Sequence, residues 1–260
     1  MHIIDQLIEE RAAKLAASPA WPLLRPVLYR LLDYDKARAM AEAVAPLSGQ
    51  DALAFVDRLL DLTVEVRGAQ NLPRTGAVVL VANHPTGIAD GFALYDAVVP
   101  HRPDLILYAN ADAQRVAPRL DEAIIPVEWI EAKRTREKTR VVLARTHAVL
   151  DAGKALAIFP AGRISRWRRG RLTDPVWNGT AVSLARKHRA PVVPVRISGP
   201  ASIWFRLLDK VSSELRDITL FHEMLNKTGR RFTVNIGPPI PPDALPDIET
   251  LKARVEAGRW

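Results

Sequence analysis

The stretch AVVLVANHPTGIADG, residues 77–91, carries most of the information about the architecture of this chain. Its first six residues are an unbroken apolar run, which is typical of a strand buried on both faces of a sheet. The polar loop that follows places His84 and Asp90 six positions apart. Functional side chains of α/β proteins gather at the carboxyl ends of parallel strands. The stretch therefore predicts a sheet with a site at its edge.

Six other segments have the character of strands. The segment LTVEVRG at 62–68 alternates apolar and polar residues, which predicts a strand with one buried face. The others are mostly apolar runs at 105–109, 123–127, 155–159, 192–197 and 232–237. Helical stretches lie between them, clearest at 135–150 and 179–188, and a final surface helix follows the prolines after residue 237. This alternation predicts an α/β fold with a mixed, largely parallel sheet flanked by helices.

Residues 1–61 are predicted to be a helical N-terminal region, followed by an α/β domain over 62–260. Two apolar faces have helical spacing, formed by Ile4, Leu7, Ile8 and Leu15 and by Leu24, Val27, Leu28, Leu31 and Leu32. Arginines near the second face make it suitable for contact with an anionic membrane surface, although helices packed on the sheet explain the pattern equally well.

The composition is that of a folded protein with an anionic partner. Lys and Arg total 37 against 29 Asp and Glu, a formal charge of +8. The absence of cysteine excludes disulfides, thiolate metal sites and thiol nucleophiles. The first residues carry acids where a signal peptide needs a basic start, and no apolar stretch is long enough to span a membrane. We expect no export signal and a cytoplasmic location.

His84 and Asp90 form a candidate catalytic dyad. A carboxylate that accepts one ring N–H fixes the tautomer of a histidine and leaves its other nitrogen as a base, which can deprotonate an alcohol. The alternative is a loop histidine beside a helix-end carboxylate. A second candidate segment, ALAIFPAGRISRWRRGR at 155–171, combines a glycine-containing loop with five arginines and predicts a phosphate or headgroup pocket. Its alternative is a solvated basic loop.

Three motif blocks in order, NHPTGIAD, FPAGRIS and APVVPVRI, resemble those of the phospholipid and glycerol acyltransferase family, over residues 62–240. The resemblance implies that His84 is the general base on an acceptor hydroxyl, that Asp90 orients the imidazole, and that Gly162 shapes the loop near the acceptor phosphate. It also implies that further substrate-binding residues come from the same blocks: Asn83, Thr86, Pro160, Arg163, Ser165 and Arg166.

The reaction implied by the resemblance is direct transfer of a fatty acyl group from acyl-CoA or acyl carrier protein to a glycerol-phosphate or lysophospholipid-type acceptor. No cofactor and no metal take part in it, and the enzyme acts peripherally on the cytoplasmic face of a membrane. No serine lies in a Gly-x-Ser-x-Gly turn, which fits transfer without an acyl-enzyme.

Two features depart from the family pattern. Five residues separate His84 from Asp90 where four are commonest, and Ala161 stands at the usual glutamate position. Ile164 also occupies the usual arginine position, which leaves Arg163 and Arg166 as alternatives for the phosphate contact. The middle family block has no clean match, although Lys133, Arg134 and Arg136 follow the strand at 123–127.

Three other functions compete with this interpretation. A catalytically degenerate lipid-binding or assembly protein of the same fold is suggested by the two departures. A nucleic-acid-binding module is suggested by the charge and the arginine run around Trp167, but no recognition-helix or aromatic-platform pattern accompanies them, so no nucleic acid is expected. A metal hydrolase is disfavoured because the six histidines are scattered without paired ligand spacing.

Overall fold

A seven-stranded mixed sheet with helices on both faces forms the framework of the molecule. The computed structural model describes residues 1–128, 133–168, 170–200 and 202–260. Its strands are β1 Thr63–Arg67, β2 Val78–Ala82, β3 Ile106–Asn110, β4 Ile124–Val127, β5 Ala155–Ile158, β6 Arg166–Arg168, β7 Arg171–Thr173, β8 Val192–Ser198 and β9 Arg231–Ile236. Its helices are α1 Ile3–Arg11, α2 Ala13–Ala16, α3 Trp21–Leu31, α4 Tyr34–Val44, α5 Gly49–Leu60, α6 Ile88–Val98, α7 Ala111–Val116, α8 Arg136–Asp151, α9 Thr180–Lys187, α10 Ile203–Asp209, α11 Ser213–Ile218, α12 Leu220–Leu225 and α13 Ile248–Ala257.

The strand order, β1-β9-β8-β2-β5-β3-β4, places β2 at the centre of the sheet. β2 runs parallel to both of its neighbours, β5 and β8. Only the pairing of β8 with β9 is antiparallel within this sheet. The prediction of a mixed, largely parallel sheet flanked by helices is confirmed. The carboxyl ends of β2 and β5 meet at one edge, which is where the polar loops of the two motif segments begin.

The core has two layers, one on each face of the sheet. Along β2, Val78, Leu80 and Ala82 face the layer that contains the N-terminal helices and α6. Val79 and Val81 face the opposite layer, which is formed by α8, α9 and α13. All five side chains are completely buried. This two-sided burial explains why the strand is a continuous apolar run rather than an alternating one.

The N-terminal helices differ in how they use their apolar residues. Ile4, Leu7 and Ile8 of α1 are buried in the same core layer as the sheet. Most of α3 is instead exposed, and Trp21 is its only buried residue. No helix in the described ranges is long and apolar enough to cross a membrane. The boundary predicted at residue 61 matches the end of α5 closely, but a division into two domains stays a prediction.

The structure corrects the sequence-based description in three places. β1 is an edge strand whose Val66 is exposed, so its alternating pattern does not produce a fully buried face. The basic segment after residue 165 is not only a loop, because β6 and β7 form an antiparallel hairpin there. Three helices, α10 to α12, lie between β8 and β9, where none was predicted. The final helix α13 lies at the surface but buries Leu251 and Val255 against the sheet.

A buried ion pair holds this unpredicted helical segment together. Lys227 and Glu223 are each 3% exposed at the side chain, and Lys227 Nζ lies 2.9 Å from Glu223 Oε2. The other oxygen, Glu223 Oε1, accepts a hydrogen bond from the backbone N–H of Phe205 in α10. Burial alone would raise the pKa of Glu223, but the hydrogen bond and charge of Lys227, together with hydrogen bonds from Ser202 and Phe205, outweigh it and lower the pKa.

We predict that Lys227→Met lowers the free energy of unfolding by about 3 kcal/mol, because the substitution leaves the Glu223 carboxylate buried without its cation. Urea denaturation measures this change, with Lys14→Met at an exposed lysine as the control. The double variant Lys227→Met/Glu223→Gln should recover part of the loss. Equal stability of Lys227→Met and the control would contradict a stabilising role for the pair.

Candidate active site

The buried carboxylate of Asp90 organises the loop that follows β2. Asp90 lies in the first turn of α6 and is completely buried. Its Oδ2 accepts the backbone N–H groups of Thr86 at 2.8 Å and Gly87 at 3.0 Å. Its Oδ1 accepts the Thr86 hydroxyl at 2.6 Å. The loop is therefore folded around one carboxylate, since burying that charge requires several donors.

His84 supplies a further donor to the same carboxylate. Its Nδ1 lies 2.9 Å from Asp90 Oδ2, as the spacing in the sequence allowed. Because both carboxylate oxygens act as acceptors, Nδ1 carries the proton in this arrangement and Nε2 is the free base. The imidazole packs against Phe159 with ring centroids 4.6 Å apart, and its side chain is 19% exposed. The arrangement can accept a proton from a hydroxyl group placed at Nε2.

The backbone at Gly87 accommodates the five residues between His84 and Asp90. Gly87 has φ 103° and ψ −143°, a conformation that residues with a side chain rarely adopt. A Cβ at this position would lie 3.0 Å from Cδ1 of Ile164. The turn at Gly87 directs two amides at Asp90, so the longer spacing still brings the imidazole and the carboxylate into contact. The sequence analysis did not predict that Gly87 forms this turn, although the sequence shows a glycine directly before the start of a predicted helix.

A second buried carboxylate, Asp174, binds the backbone of His84. Asp174 is 2% exposed and accepts the backbone N–H of His84 at 3.2 Å from Oδ1 and 3.3 Å from Oδ2. It also accepts the hydroxyl of Ser165 and the indole N–H of Trp177. Its own N–H donates to Glu256, whose pKa is raised by burial. Asp174 thereby joins both motif loops to α13, and sequence reasoning missed it because it lies outside the motif blocks.

Three of the residues predicted to bind substrate are instead tied into this framework. Both amide atoms of Asn83 bind the backbone of Ile197, with distances of 2.7 and 2.9 Å, which fixes the end of β2 to β8. Thr86 is buried and bound to Asp90. The N–H of Ser165 donates to the carbonyl of His84 at 2.8 Å. These contacts position the dyad, and direct contact of the three residues with substrate stays a prediction.

The remaining predicted residues lie on the loop and hairpin after β5. The buried Pro160 accepts two hydrogen bonds from Asn178 at its carbonyl. Gly162 has φ 60° and closes a turn onto the carbonyl of Phe159. Arg163 is exposed and Arg166 is half-buried in β6. The described residues do not include Arg169 or the side chains of Arg168 and Arg171. They also leave out 129–132, which follow the strand at 123–127 in the segment considered for the middle family block.

Arg206 of α10 also reaches the site. Its Nη2 donates to the carbonyl of Pro85 at 3.3 Å, and its Cζ lies 5.8 Å from the ring centroid of Trp167. Burial lowers the pKa of Arg206, while the charges of Glu223 and Asp90 act in the opposite direction. The guanidinium group stays protonated near neutral pH despite this lowering of its pKa, because arginine is the most basic side chain. A permanent positive charge therefore lies beside the loop that carries His84.

Comparison with known proteins assigns the chain to a family. The family model described as Acyltransferase matches residues 63–198, more than half of the chain. The chain therefore belongs to the acyltransferase family, and it is an acyltransferase. Curated relatives include the lyso-glycine lipid O-acyltransferase of Bacteroides thetaiotaomicron, 28% identical over 220 residues, which are 82% of this chain and 79% of the relative. The enzyme of the same name from Phocaeicola vulgatus is 30% identical over 199 residues, 74% of this chain and 70% of the relative.

One solved structure is also similar. The crystal structure of the 1-acyl-sn-glycerophosphate (LPA) acyltransferase from Thermotoga maritima superposes with a TM-score of 0.49 at 16% sequence identity. The superposition covers 98% of this chain and 97% of the other.

We predict that Asp174→Asn lowers the rate of acyl transfer about tenfold and the free energy of unfolding by about 2 kcal/mol. An asparagine side chain offers one acceptor oxygen, so it cannot serve the His84 amide, the Ser165 hydroxyl and the Trp177 indole together. Steady-state kinetics and urea denaturation measure the two effects, with Asp243→Asn on the exposed surface as the control. Unchanged kinetics in Asp174→Asn would show that Asp174 does not position His84.

Proposed function

We propose that this acyltransferase moves a fatty acyl group from acyl-CoA or acyl carrier protein to a hydroxyl group of a lipid acceptor, with His84 as the general base. The observation that carries the proposal is the hydrogen bond of 2.9 Å between His84 Nδ1 and the buried Asp90. In the neutral imidazole tautomer that donates from Nδ1, the lone pair lies on Nε2, the ring nitrogen that does not bind the carboxylate. Membership of the acyltransferase family supplies the reaction class.

The proposed step is a direct displacement. His84 Nε2 takes the proton of the acceptor hydroxyl while its oxygen attacks the thioester carbonyl carbon. The new C–O ester bond forms, the C–S bond breaks, and the imidazolium returns the proton to the leaving thiolate. Asp90 stabilises the imidazolium through the bond to Nδ1 and stays a carboxylate throughout.

The acceptor is proposed to be a single-chain lipid or lipid precursor with an anionic headgroup. The motif resemblance favours glycerol phosphate or a lysophospholipid. The two curated relatives are named for a lyso-glycine lipid, an acceptor whose headgroup is an amino acid. The net charge of +8 is consistent with either acceptor, because both present an anionic group.

A catalytically degenerate lipid-binding or assembly protein is the alternative. It was suggested by the longer dyad spacing and by Ala161. The longer spacing does not separate the two residues, because His84 and Asp90 are hydrogen-bonded. Ala161 is the remaining departure from the family pattern, and a measurement of turnover by the wild type tests the alternative.

We propose that the enzyme works at an anionic membrane surface, on its cytoplasmic face, and that α3 makes the contact. Leu23, Val27 and Leu31 of this helix are 80%, 57% and 65% exposed. Arg25 and Arg30 interrupt the apolar residues, as in helices that lie in the interface of anionic lipids. Such a position would give the site access to an insoluble acceptor.

We predict that His84→Ala reduces acyl transfer about 10²-fold to 10⁴-fold, the usual contribution of a general base. The assay uses palmitoyl-CoA and palmitoyl-acyl carrier protein as donors, with glycerol phosphate, lysophospholipids and lyso-glycine lipid as acceptors. His101→Ala, after the far end of α6, should retain full activity. Activity of His84→Ala equal to that of the wild type would remove His84 as the base. No transfer by the wild type to any acceptor would favour the degenerate alternative.

We predict that the double variant Leu23→Ser/Val27→Ser binds phosphatidylglycerol vesicles more than tenfold less tightly than the wild type, because two apolar side chains no longer enter the lipid. Vesicle sedimentation measures the binding. The matched control is Val141→Ser/Leu143→Ser, which removes two exposed apolar side chains from α8. Equal losses in the two double variants would rule out a specific contact by α3.

A further inference from the structure

We propose that Arg206 binds the anionic headgroup of the lipid acceptor and so determines which acceptors the enzyme uses. This inference rests on the proposed acyl transfer. Arg206 lies beyond the segment that matches the family model, which ends at residue 198. No motif block of the sequence predicted it, and its assignment depends only on where α10 places the guanidinium group.

The position of the guanidinium group is the first reason. Its Nη2 binds the carbonyl of Pro85, the residue directly after His84. Its Cζ lies over the ring of Trp167, which belongs to the hairpin that follows the second motif loop. Arg206 is thus in contact with both loops that surround the dyad. An acceptor headgroup bound there would lie beside the base that receives the proton from its hydroxyl group.

The unused hydrogen-bonding capacity of the side chain is the second reason. A guanidinium group has five N–H donors, and within the described residues only Nη2 of Arg206 has an acceptor. Nε is buried without a hydrogen-bond partner. An unsatisfied buried donor is unfavourable, so the guanidinium group has hydrogen-bonding capacity that the described residues do not use. The side chain of Arg206 is only partly buried, which leaves the other donors within reach of a ligand.

The anchoring of α10 is the third reason. The hydroxyl of Ser202 at the start of α10 donates to the carbonyl of Thr86 at 3.0 Å, and Ser202 is completely buried. The N–H of Phe205 is held by Glu223, which the buried pair with Lys227 keeps charged. A long, flexible arginine gains binding energy when its backbone is fixed in advance, because less freedom is lost on binding. The helical segment therefore presents a preorganised cation.

The surroundings of Arg206 fit an amphiphile rather than a free anion. Leu207 and Val211 are 50% and 75% exposed, and they follow Arg206 directly in and after α10. Ile88 at the start of α6 and Trp167 on the hairpin are 40% and 58% exposed. A positive charge on elements that also expose apolar side chains suits a charged headgroup that carries an acyl chain. The planar fork of arginine binds carboxylate and phosphate alike, so the shared ligand chemistry is an oxyanion.

The decisive experiment compares the wild type with Arg206→Gln on three acceptors of equal chain length: lysophosphatidate, lyso-glycine lipid and the uncharged monoacylglycerol. We expect Arg206→Gln to raise the KM for the acceptor that carries the recognised oxyanion by about 10-fold to 100-fold, the range for hydrogen bonds to charged groups. The ratio of kcat/KM for that acceptor to kcat/KM for monoacylglycerol should fall by the same factor, because monoacylglycerol has no oxyanion to lose. The two anionic acceptors distinguish phosphate from carboxylate. Lys210→Gln removes an exposed charge just after α10 and should leave all values unchanged.

A purely structural role would give a different result. If Arg206 only stabilises the loop through Pro85, Arg206→Gln will lower kcat by the same factor for all three acceptors, and the proposal is wrong. It is equally wrong if no acceptor responds to the substitution.

Calorimetric binding of decyl phosphate, decanoate and decanol to both proteins tests Arg206 without turnover. Binding of an anionic ligand that is lost in Arg206→Gln, with no transfer by the wild type, would refute the proposed reaction and retain the oxyanion site. Transfer that depends on His84 but not on Arg206, with unaltered anion binding, would refute this inference alone.

Discussion

The burial of the Asp90 carboxylate is the constraint on which the active-site loop depends. A fully buried carboxylate is tolerated only when donors surround it, and here four hydrogen bonds converge on its two oxygens. Three of them come from Thr86 and Gly87, residues that would otherwise belong to an ordinary turn. The fourth comes from His84. The conformation of the loop and the orientation of the imidazole both follow from the need to provide hydrogen bonds to one buried carboxylate. The imidazole and the carboxylate therefore stay in contact although the loop has one residue more than the commonest family spacing.

A second carboxylate, Asp174, complements this arrangement by holding the main chain of His84 rather than its ring. The backbone N–H of His84 is bound by Asp174 and its carbonyl by the N–H of Ser165. Ser165 is itself bound to Asp174 through its hydroxyl. The histidine is thus restrained at its backbone by one carboxylate and at its side chain by another. Such double restraint suits a base that must receive and return a proton without changing position.

The sequence predicted those parts of the structure that depend on local pattern. The apolar run of β2 predicted a central buried strand, and the residues after it predicted a contact between His84 and Asp90. Residues whose role depends on distant packing were not predictable in this way. Asp174 appears in the sequence as an isolated acid between a threonine and a proline. Arg206 appears as one arginine in a short apolar segment, and only the folding of α10 against the catalytic loop brings it to the site.

The residues proposed for the chemistry and the residue proposed for acceptor recognition lie in different parts of the chain. The motif loops hold the imidazole, but they provide few well-placed cations among their described residues. Ile164 is buried against Gly87 and Arg163 is exposed. The helices between β8 and β9 add a fixed positive charge without altering the strands that carry the dyad. Because this segment lies outside the central part of the sheet, its sequence can change while His84, Asp90 and Asp174 stay in place. A fold organised in this way can keep one reaction and vary its acceptor.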